Sequence, residues 1–420
     1  MKTIGIDIGT TTISGVVYDT EIEKVLVSKT VNSHAFIESK NSWEKIQDVE
    51  CIIHHAKNML DEFILLHPDV QGIGLSGQMH GILYVDKDGK AKSPLYTWQD
   101  TRALQDGVFE DIKASTNTIV APGYGLVTHI YNVRKDLVPE MTTSFCTIMD
   151  YFGMVLTGKI TPLVHTSNAA SFGFWKIEEN QFDLDALEHL KIDTSLLPKF
   201  TSNIEILGKY KGIPVTCAIG DNQASFLGAL KDDSFVLLNM GTGGQISVKS
   251  NTICQGNGIE TRPYLNQEYL LVASSLCGGR AYAILENFFR SIFKDATGNE
   301  SSQYEWMEKV AQENGMKVQT TFSGTRNEPN KTGSIQNITE DNFTPGALIY
   351  GVLEGMVQEL YDYYVQMPIQ AKHLVLSGNG FRKNTLLCTI ASQMFMASYS
   401  LSENEEEAAC GAAKLILYVK

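Results

Sequence analysis

The chain has 420 residues, 43% of them hydrophobic and 20% charged, and a formal net charge of −14 at pH 7. This length suits two globular domains, and the apolar content can fill their cores. The negative charge argues against a nucleic acid or an anionic membrane as partner, since both favour a basic surface. The seven scattered cysteines form no CxxC pair, and no apolar run approaches the roughly 20 residues of a membrane span. With no leader-like start either, we expect a cytoplasmic protein with reduced thiols.

A strand, a turn rich in glycine and threonine, and a second strand open the chain. Isoleucines alternate with glycine and aspartate over residues 4–8, and a β-branched run resumes at residue 13. The turn between them consists of Gly9, Thr10, Thr11 and Thr12. The same arrangement returns over residues 235–248, with a turn of Gly241, Thr242, Gly243 and Gly244. This repeat predicts two similarly built halves, at residues 1–228 and 229–420.

Glycine in such turns lets backbone N–H groups approach an anion, and threonine hydroxyls add further donors. Either turn alone also fits an ordinary tight hairpin, which needs glycine for its backbone conformation. Two such turns at equivalent places in two halves favour a phosphate-binding role. Neither is a Walker loop, because the chain contains no GxxxxGK[ST] run.

The rest of the chain alternates between helical and extended patterns, which is typical of the α/β class. The predicted elements are helices over residues 46–66, 128–160, 222–230 and 345–367 and from residue 403 onward, and strands over residues 72–76, 215–219 and 374–376. Thr344 and Pro345 supply a cap and a first helical residue for the fourth of these helices.

Two aspartates stand where polar chemistry is expected. Asp7 lies inside the first strand, where aspartate is uncommon, and it fits either a Mg²⁺ site reached through water or a surface-facing strand residue. Asp221 follows a buried strand and begins a helix. It fits a helix N-cap or a general base that accepts a hydroxyl proton, and the local sequence leaves both alternatives open.

An aromatic and charged run contains Trp98, Asp100 and Arg102. Tryptophan can stack on the C–H face of a sugar while carboxylate and guanidinium groups bind its hydroxyls, although a capped helix start with a local ion pair is the alternative. His80, between Met79 and a glycine, fits an interior histidine as well as a ligand contact. The run at 377–384 is poor in side chains, so an adenine can lie on it, but an ordinary loop explains it too.

These motifs together resemble those of the FGGY carbohydrate kinases, which are related to actin, hexokinase and the heat-shock chaperone ATPases. The resemblance spans nearly the whole chain in the family's order and spacing. It rests on GIDIGTT at 5–11, SGQMHG at 76–81, TWQDTR at 97–102, GDNQAS at 220–225, NMGTGGQ at 239–245 and SGNG at 377–380. It implies two ribonuclease-H-like domains of the actin and hexokinase type, with ATP and sugar in a catalytic cleft between them.

The resemblance implies an ATP-dependent sugar kinase that uses Mg²⁺ with ATP, with Asp221 as the base and Asp7 in the Mg²⁺ region. With the residues argued above, the predicted contacts to ATP are Gly9, Thr10, Thr11, Thr12, Gly241, Thr242, Gly243, Gly378, Asn379, Gly380 and Asn384. The predicted contacts to the sugar are Gln78, Met79, His80, Trp98, Asp100, Arg102, Asp221 and Asn222. The expected partners are therefore a sugar and ATP, and a homodimer is among the options for assembly.

Within the family, SGQMHG is typical of ketose kinases, and the runs at 97–102 and 220–225 are closer to kinases of sedoheptulose than of xylulose. Two stretches depart from the family pattern: residues 125–131 lack the usual lysine and tryptophan, and Thr325 stands where glutamate is usual. A related ATPase without a sugar substrate, or an inactive regulator, would keep the phosphate loops. Such a protein would not need Met79 and His80 or the run that starts at Trp98.

Overall fold

The computed structural model describes residues 1–230, 236–326 and 328–420, and its residues pack into two units. Unit 1 comprises Met1–Ala229, Arg262–Gln267 and Asn404–Lys420, and unit 2 comprises Leu230–Thr261 and Glu268–Glu403. The division of the sequence at residue 229 stays a prediction for the domains, and by packing the C-terminal helix lies in unit 1. Residue 235 of the predicted strand and Asn327 of the 324–329 run lie outside the described residues.

Unit 1 is built on a sheet that contains the first predicted phosphate turn. The strands of this unit are β1 (Lys2–Ile8), β2 (Thr12–Asp19), β3 (Lys24–Asn32), β4 (Ile46–Gln47), β5 (Ile73–Gly77), β6 (Leu83–Asp86), β7 (Leu95–Tyr96), β8 (Thr142–Cys146), β9 (Leu163–His165), β10 (Trp175–Lys176), β11 (Gln181–Phe182), β12 (Lys199–Thr201), β13 (Ile206–Tyr210), β14 (Ile213–Thr216) and β15 (Ile219–Gly220). Seven of them form one sheet of order β13-β14-β5-β1-β2-β3, with β15 also paired to β5.

Helices are the other main elements of unit 1, and several of them pack against this sheet. They are α1 (Val49–Leu66), α2 (Val108–Ser115), α3 (Gly125–Arg134), α4 (Ile148–Thr157), α5 (Thr166–Ser171), α6 (Leu184–His189), α7 (Asp221–Ala229) and the C-terminal α13 (Glu407–Lys414), with 3-10 turns at Arg102–Gly107, Thr194–Leu196, Leu265–Gln267 and Leu415–Tyr418. The isoleucines of β1 are fully buried, and α1 packs Ala56, Leu60 and Phe63 into the same core. The spacing of these residues at three and four positions explains the amphipathic helix predicted there.

Unit 2 repeats the sheet plan around the second turn. Its elements are β16 (Val236–Met240), β17 (Gly244–Ser250), β18 (Ile259–Pro263), β19 (Tyr269–Ser275), α8 (Gly279–Thr297), α9 (Tyr304–Val310), β20 (Lys317–Gln319), β21 (Ser334–Gln336), α10 (Pro345–Tyr364), β22 (His373–Ser377), α11 (Gly378–Lys383), α12 (Thr385–Phe395) and β23 (Ser398–Leu401). The last two residues of β18, Arg262 and Pro263, are counted with unit 1. The sheet has the order β18-β19-β17-β16-β22-β23. In both sheets the hairpin that carries the turn pairs its first strand in parallel with a later strand: β1 with β5, and β16 with β22. The predicted repeat and the α/β class are confirmed.

One predicted helix is wrong in its middle. Residues 128–160 fold as α3, β8 and α4, and β8 pairs antiparallel with β6. The run that begins at Thr142 is rich in threonine and serine and continues through Phe145 to Cys146, which favours an extended backbone over a helix. The helix predicted from Pro345 is confirmed, with Thr344 accepting the N–H of Ala347 as its cap. Among the described residues, no helix has the length and apolar character needed to cross a membrane.

Candidate active site

Three parallel strands of unit 1 end at one edge of its sheet. The register pairs Asp7 with Ser76, and pairs Ile219 with the same serine from the other side. Because the strands run in the same direction, the segments that follow them emerge together at that edge. Those segments are the first glycine–threonine turn, the run that begins at Gln78, and α7, which begins with Asp221.

The first turn joins β1 to β2 with Thr11 exposed at its tip. Thr10 does not offer its hydroxyl freely, because Oγ1 accepts a hydrogen bond from Trp98 Nε1 at 2.9 Å and donates to Gln78 Oε1 at 3.4 Å. Backbone groups and the exposed threonine are therefore better placed for an anion than the Thr10 hydroxyl.

The second turn lies in unit 2, where Gly241, Thr242 and Gly243 join β16 to β17. The first turn of α8 is tied to it, since the Gly279 N–H donates to the Gly241 carbonyl at 2.9 Å. A Cβ on Gly278 would stand 2.4 Å from the backbone of Gly243, so this approach requires glycine. The turn thus comes with the N-terminus of a 19-residue helix, which favours negative charge nearby.

Asp7 and Asp221 are neighbouring carboxyl groups, and the pKa of each is raised. Burial raises the pKa of Asp7 to about 7, and the carboxylate of Asp221 adds to this shift. Burial raises the pKa of Asp221 to about 6, while the Asn222 backbone N–H and the Arg262 guanidinium oppose the shift. Two neighbouring carboxylates that resist ionisation are typical of sites for acid–base chemistry or for a cation.

The residues fit a Mg²⁺ ion held mainly through water. Asp7 Oδ1 is buried and has no hydrogen-bond partner in the protein, so it can accept from a coordinated water. Among the described residues no group of three or more His, Cys, Asp or Glu side chains could hold a metal on its own. Mg²⁺ keeps several waters and takes its remaining oxygens from phosphates, so a single nearby carboxylate suffices.

His80 is held in a defined orientation beside Met79. Its backbone is left-handed, with φ of 71°, and its N–H donates to the Ser171 hydroxyl at 3.1 Å. The ring Nδ1 lies 2.7 Å from the Ser171 carbonyl oxygen, which can only accept, so Nδ1 carries the proton and Nε2 is the acceptor nitrogen. Tyr124 stacks on the ring with centroids 4.6 Å apart and planes 2° from parallel. These contacts aim the imidazole rather than bury it among apolar groups.

Asp100 and Arg102 form the local ion pair that the sequence left as an alternative. Asp100 is fully buried, and its oxygens accept from the Arg102 side chain at 2.8 and 2.9 Å and from the Lys45 N–H at 3.0 Å. The guanidinium lies 4.2 Å from the Tyr96 ring centroid. With these groups satisfied, the geometry favours a supporting role, while Trp98, 47% exposed, presents its ring at the surface.

Helix α5 braces the strand that leads to Asp221. The Gly220 N–H donates to Ser167 Oγ at 3.2 Å, and Asn168 Nδ2 donates to the Ala218 carbonyl at 3.2 Å. Ser167 Oγ also lies 2.9 Å from His165 Nδ1, and burial lowers the pKa of this histidine to about 4, which keeps it neutral. The same short helix ends at Ser171, so it holds both the approach to Asp221 and the orientation of His80.

The run predicted to receive adenine is a helix rather than a flat loop. Gly378 begins α11 after β22 with φ of 84°, and a Cβ there would lie 2.6 Å from the Met240 carbonyl. Asn379 and Gly380 belong to α11, and Asn384 caps α12 by accepting the Leu387 N–H at 2.9 Å. Adenosine contacts at these residues stay a prediction.

The departures from the family pattern have structural roles. Residues 125–131 lie in α3, where His129 is fully buried with Nδ1 2.9 Å from the Tyr84 hydroxyl. Burial lowers the pKa of His129 to about 4, so its ring is neutral at neutral pH. Thr325 accepts the Glu328 N–H through its hydroxyl at 3.0 Å.

Several residues of this region carried no sequence signal for function. They are Gln47, Tyr124, Gly278 and Gly279. Only the double glycine between β19 and α8 resembles a pattern that sequence reasoning uses, a close backbone approach before a helix. The others act through contacts made far apart in the chain.

Two family models match the chain almost end to end. The FGGY family of carbohydrate kinases, N-terminal domain, matches residues 2–238, and its C-terminal domain matches residues 236–419. The chain belongs to the FGGY family of carbohydrate kinases. It is therefore an ATP-dependent sugar phosphotransferase, and its fold is the two-domain fold of this family, in the actin and hexokinase ATPase class.

Curated relatives span the full length of this FGGY kinase. The sedoheptulokinase of Mus musculus is 27% identical over 467 residues, covering 99% of this chain and 97% of the relative. The xylulose kinase of Staphylococcus xylosus is 24% identical, with 98% and 89% covered. Among solved structures, a xylulose kinase from Rhodospirillum rubrum has a TM-score of 0.84 at 19% identity, covering 99% of this chain and 89% of that one. This structural likeness supports the fold alone.

A buried acid behind the site gives a pH-dependent prediction. Burial raises the pKa of Asp150 to about 7, although the Thr147 hydroxyl donates to its Oδ2 at 2.6 Å. The folded state thus binds a proton that the unfolded chain releases near pH 4, so stability is lost as pH rises from about 4 to about 7. The melting temperature of Asp150→Asn, measured relative to that of the wild type, should therefore rise between pH 5 and pH 8.

The matched control for this prediction is Asp193→Asn. Asp193 lies near the surface and accepts the Ser195 N–H at 2.9 Å. Hydrogen bonds from the Ser195 hydroxyl and from its N–H lower the pKa of the Asp193 carboxyl. Its contribution to stability is therefore lost only as pH falls towards the acid range, and its melting-temperature difference should stay constant between pH 5 and pH 8. An Asp150→Asn difference that is equally constant would contradict the raised pKa.

Proposed function

We propose that this FGGY kinase transfers the γ-phosphoryl group of ATP to the terminal primary hydroxyl of a ketose, with sedoheptulose as the preferred acceptor. The observation that carries the proposal is the Asp221 carboxylate at the sheet edge beside Asp7, with its pKa near 6. A carboxylate of this acidity is ionised at neutral pH and still basic enough to accept a hydroxyl proton.

In the proposed reaction, Asp221 orients the hydroxyl and takes its proton as the oxygen attacks the γ-phosphorus. The bond from that phosphorus to the bridging oxygen breaks, and ADP leaves with the electron pair. The two glycine–threonine turns hold the phosphates through backbone N–H groups. Mg²⁺, when bound with ATP near Asp7, supplies neutralising charge to the phosphates. Positioning and electrostatics dominate, since the residues need do little covalent work.

On the sugar side, His80 accepts a hydroxyl at Nε2, and Trp98 stacks on a C–H face. Met79 and Asn222 are the other proposed contacts to the sugar. Gln78 and the buried pair of Asp100 and Arg102 hold these contact residues in place. The adenosine is proposed to lie at Gly378, Asn379, Gly380 and Asn384. Sedoheptulose is preferred because the full-length relative in Mus musculus bears that activity in its name.

Xylulose is the second candidate acceptor. The full-length relative in Staphylococcus xylosus is named a xylulose kinase, at 24% identity against 27% for the sedoheptulokinase. Both sugars are ketoses with a primary terminal hydroxyl, so the proposed chemistry is common to both. The two sugars differ in the number of carbons that extend beyond the face proposed to stack on Trp98, and we propose that this difference decides which one is preferred.

The test is a coupled ADP-release assay with sedoheptulose, xylulose, ribulose, glycerol and gluconate as acceptors. We expect the largest kcat/KM for sedoheptulose and no ADP release without acceptor. A larger kcat/KM for xylulose would overturn the choice of sugar alone. Sugar-independent turnover, or none with any acceptor, would overturn the ketose kinase itself.

A further inference from the structure

A closed ring of hydrogen bonds lies beneath the first phosphate turn. Thr10 Oγ1 donates to Gln78 Oε1 at 3.4 Å, and Gln78 Nε2 donates to Gln47 Oε1 at 2.9 Å. Gln47 Nε2 closes the ring by donating to the backbone carbonyl of Thr10 at 2.5 Å. Trp98 Nε1 joins from outside by donating to Thr10 Oγ1 at 2.9 Å.

The ring is directional, and its amides are buried. Each donor has a defined acceptor, which fixes the orientation of both glutamine amides and of the threonine hydroxyl. Gln47 is fully buried and Gln78 is 1% exposed, so a broken link would leave a polar group without water. Breaking such a link is costly, and the ring therefore behaves as one unit.

The ring joins two places with different proposed ligands. Thr10 belongs to the turn proposed to hold phosphates, and Gln47 donates a hydrogen bond directly to its backbone carbonyl. Trp98 is 47% exposed, and its ring is proposed to meet the sugar while its only polar atom is committed to Thr10. A sugar stacked on the indole of Trp98 would restrict the motion of that side chain. Because the indole N–H is hydrogen-bonded to Thr10, the motion of the turn would be restricted as well.

We propose that the ring of Thr10, Gln47 and Gln78, entered by Trp98, couples sugar binding to the shape of the phosphate turn. Gln47 and Gln78 are then positioning residues. Trp98 stacks on the sugar, and its N–H couples the bound sugar to the conformation of the turn. Binding of sugar stabilises the conformation of the turn that binds ATP. By linkage, sugar must raise ATP affinity by the same factor by which ATP raises sugar affinity. This inference rests on the proposed kinase function.

The experiment measures that factor. The Kd of the Mg²⁺ complex of a non-hydrolysable ATP analogue is determined by calorimetry with and without saturating sedoheptulose. We expect the sugar to tighten analogue binding in the wild type by about 10-fold, within the usual range for coupled sites. Trp98→Phe keeps an aromatic face but lacks the N–H, and it should reduce the factor to below about 3-fold when the sugar is kept saturating for the variant as well.

Gln47→Leu removes the amide at nearly constant size and should reduce the factor in the same way. The double variant should lose no more than either single one, because both break one pathway. Gln99→Leu is the matched control, since Gln99 is exposed and adjoins Trp98 in sequence, and it should keep the wild-type factor. If buried Gln47→Leu does not fold, the surface substitution Trp98→Phe decides the outcome.

A wild-type factor of one, or an unchanged factor in Trp98→Phe, would overturn the coupling. Both results leave the proposed function intact as long as sedoheptulose is phosphorylated in the acceptor assay. Failure of every acceptor in that assay contradicts the proposed function instead, so the two failures are distinguishable.

Discussion

Replacing Asp221 by asparagine should lower kcat for sugar phosphorylation by about 10²–10⁴-fold, the usual contribution of a positioned base. Asparagine keeps the shape of aspartate but cannot accept the hydroxyl proton. Asparagine also caps helices as well as aspartate does, so a residue that only begins α7 would tolerate this change. Initial rates at saturating ATP and sugar measure the effect, and binding of a non-hydrolysable ATP analogue should remain close to wild type.

Asp183→Asn provides the matched control, because Asp183 caps α6 by accepting the Ala186 N–H at 3.2 Å. It should leave kcat unchanged, which separates loss of a cap from loss of a base. Asp221→Ala should fall as far as the asparagine variant. A rate near wild type in either Asp221 variant would show that this residue serves α7 alone.

The same base predicts a pH profile. Burial raises the pKa of Asp221 to about 6, so its carboxylate is protonated, and cannot accept, below that pH. The wild-type kcat should therefore fall as pH drops through about 6 and level off above it. The residual rate of Asp221→Asn should lack this step, because the proposed base that titrates near pH 6 has been removed. An identical step in the variant would assign the titration to another group.

The sequence predicted what depends on local spacing. Alternating isoleucines placed β1, and the repeated turn placed the second sheet, because period-2 burial and glycine turns are encoded within a few residues. Asp7 stood out since a carboxylate inside an apolar strand has few structural uses. Prediction failed at 128–160, where apolar residues satisfied a helical pattern although threonines and serine favoured β8.

The rest of the site depends on partners distant in sequence. From the sequence, Asp100 and Arg102 fit either a sugar site or a local ion pair, and only the fold adds Lys45 and Tyr96 to their buried pair. Ser171 carries nothing in its neighbours to indicate that it orients His80, 91 positions away. Glutamine is a common surface residue, so the buried role of Gln47 emerges only when β4 is placed against the first turn. Such contacts follow from topology, which spacing along the chain does not encode.

Close backbone packing is the second consequence of topology with a large expected effect. Helix α13 lies on α7, where a Cβ on Gly411 would stand 1.8 Å from the Ala224 carbonyl oxygen. Gly228 of α7 faces the Glu407 carbonyl at the same 1.8 Å. The sheet beneath meets the helix equally closely, since a Cβ on Gly74 would lie 1.8 Å from the Ala412 carbonyl. These glycines let α13 settle onto unit 1 and fix α7, whose first residue is Asp221.

Gly411→Ala should therefore destabilise the protein by about 3 kcal/mol or more, at the upper end for overpacking. The sign is informative, because alanine in a helix is otherwise favoured over glycine by about 1 kcal/mol. Urea unfolding followed by circular dichroism measures the effect. Ala224→Gly should not rescue the variant, since the obstacle is a backbone oxygen rather than a side chain. Ala408→Ser, at a partly exposed position of α13, should change stability little. A Gly411→Ala protein as stable as wild type would contradict the close approach of α7 and α13, and with it the packing that holds Asp221 at the sheet edge.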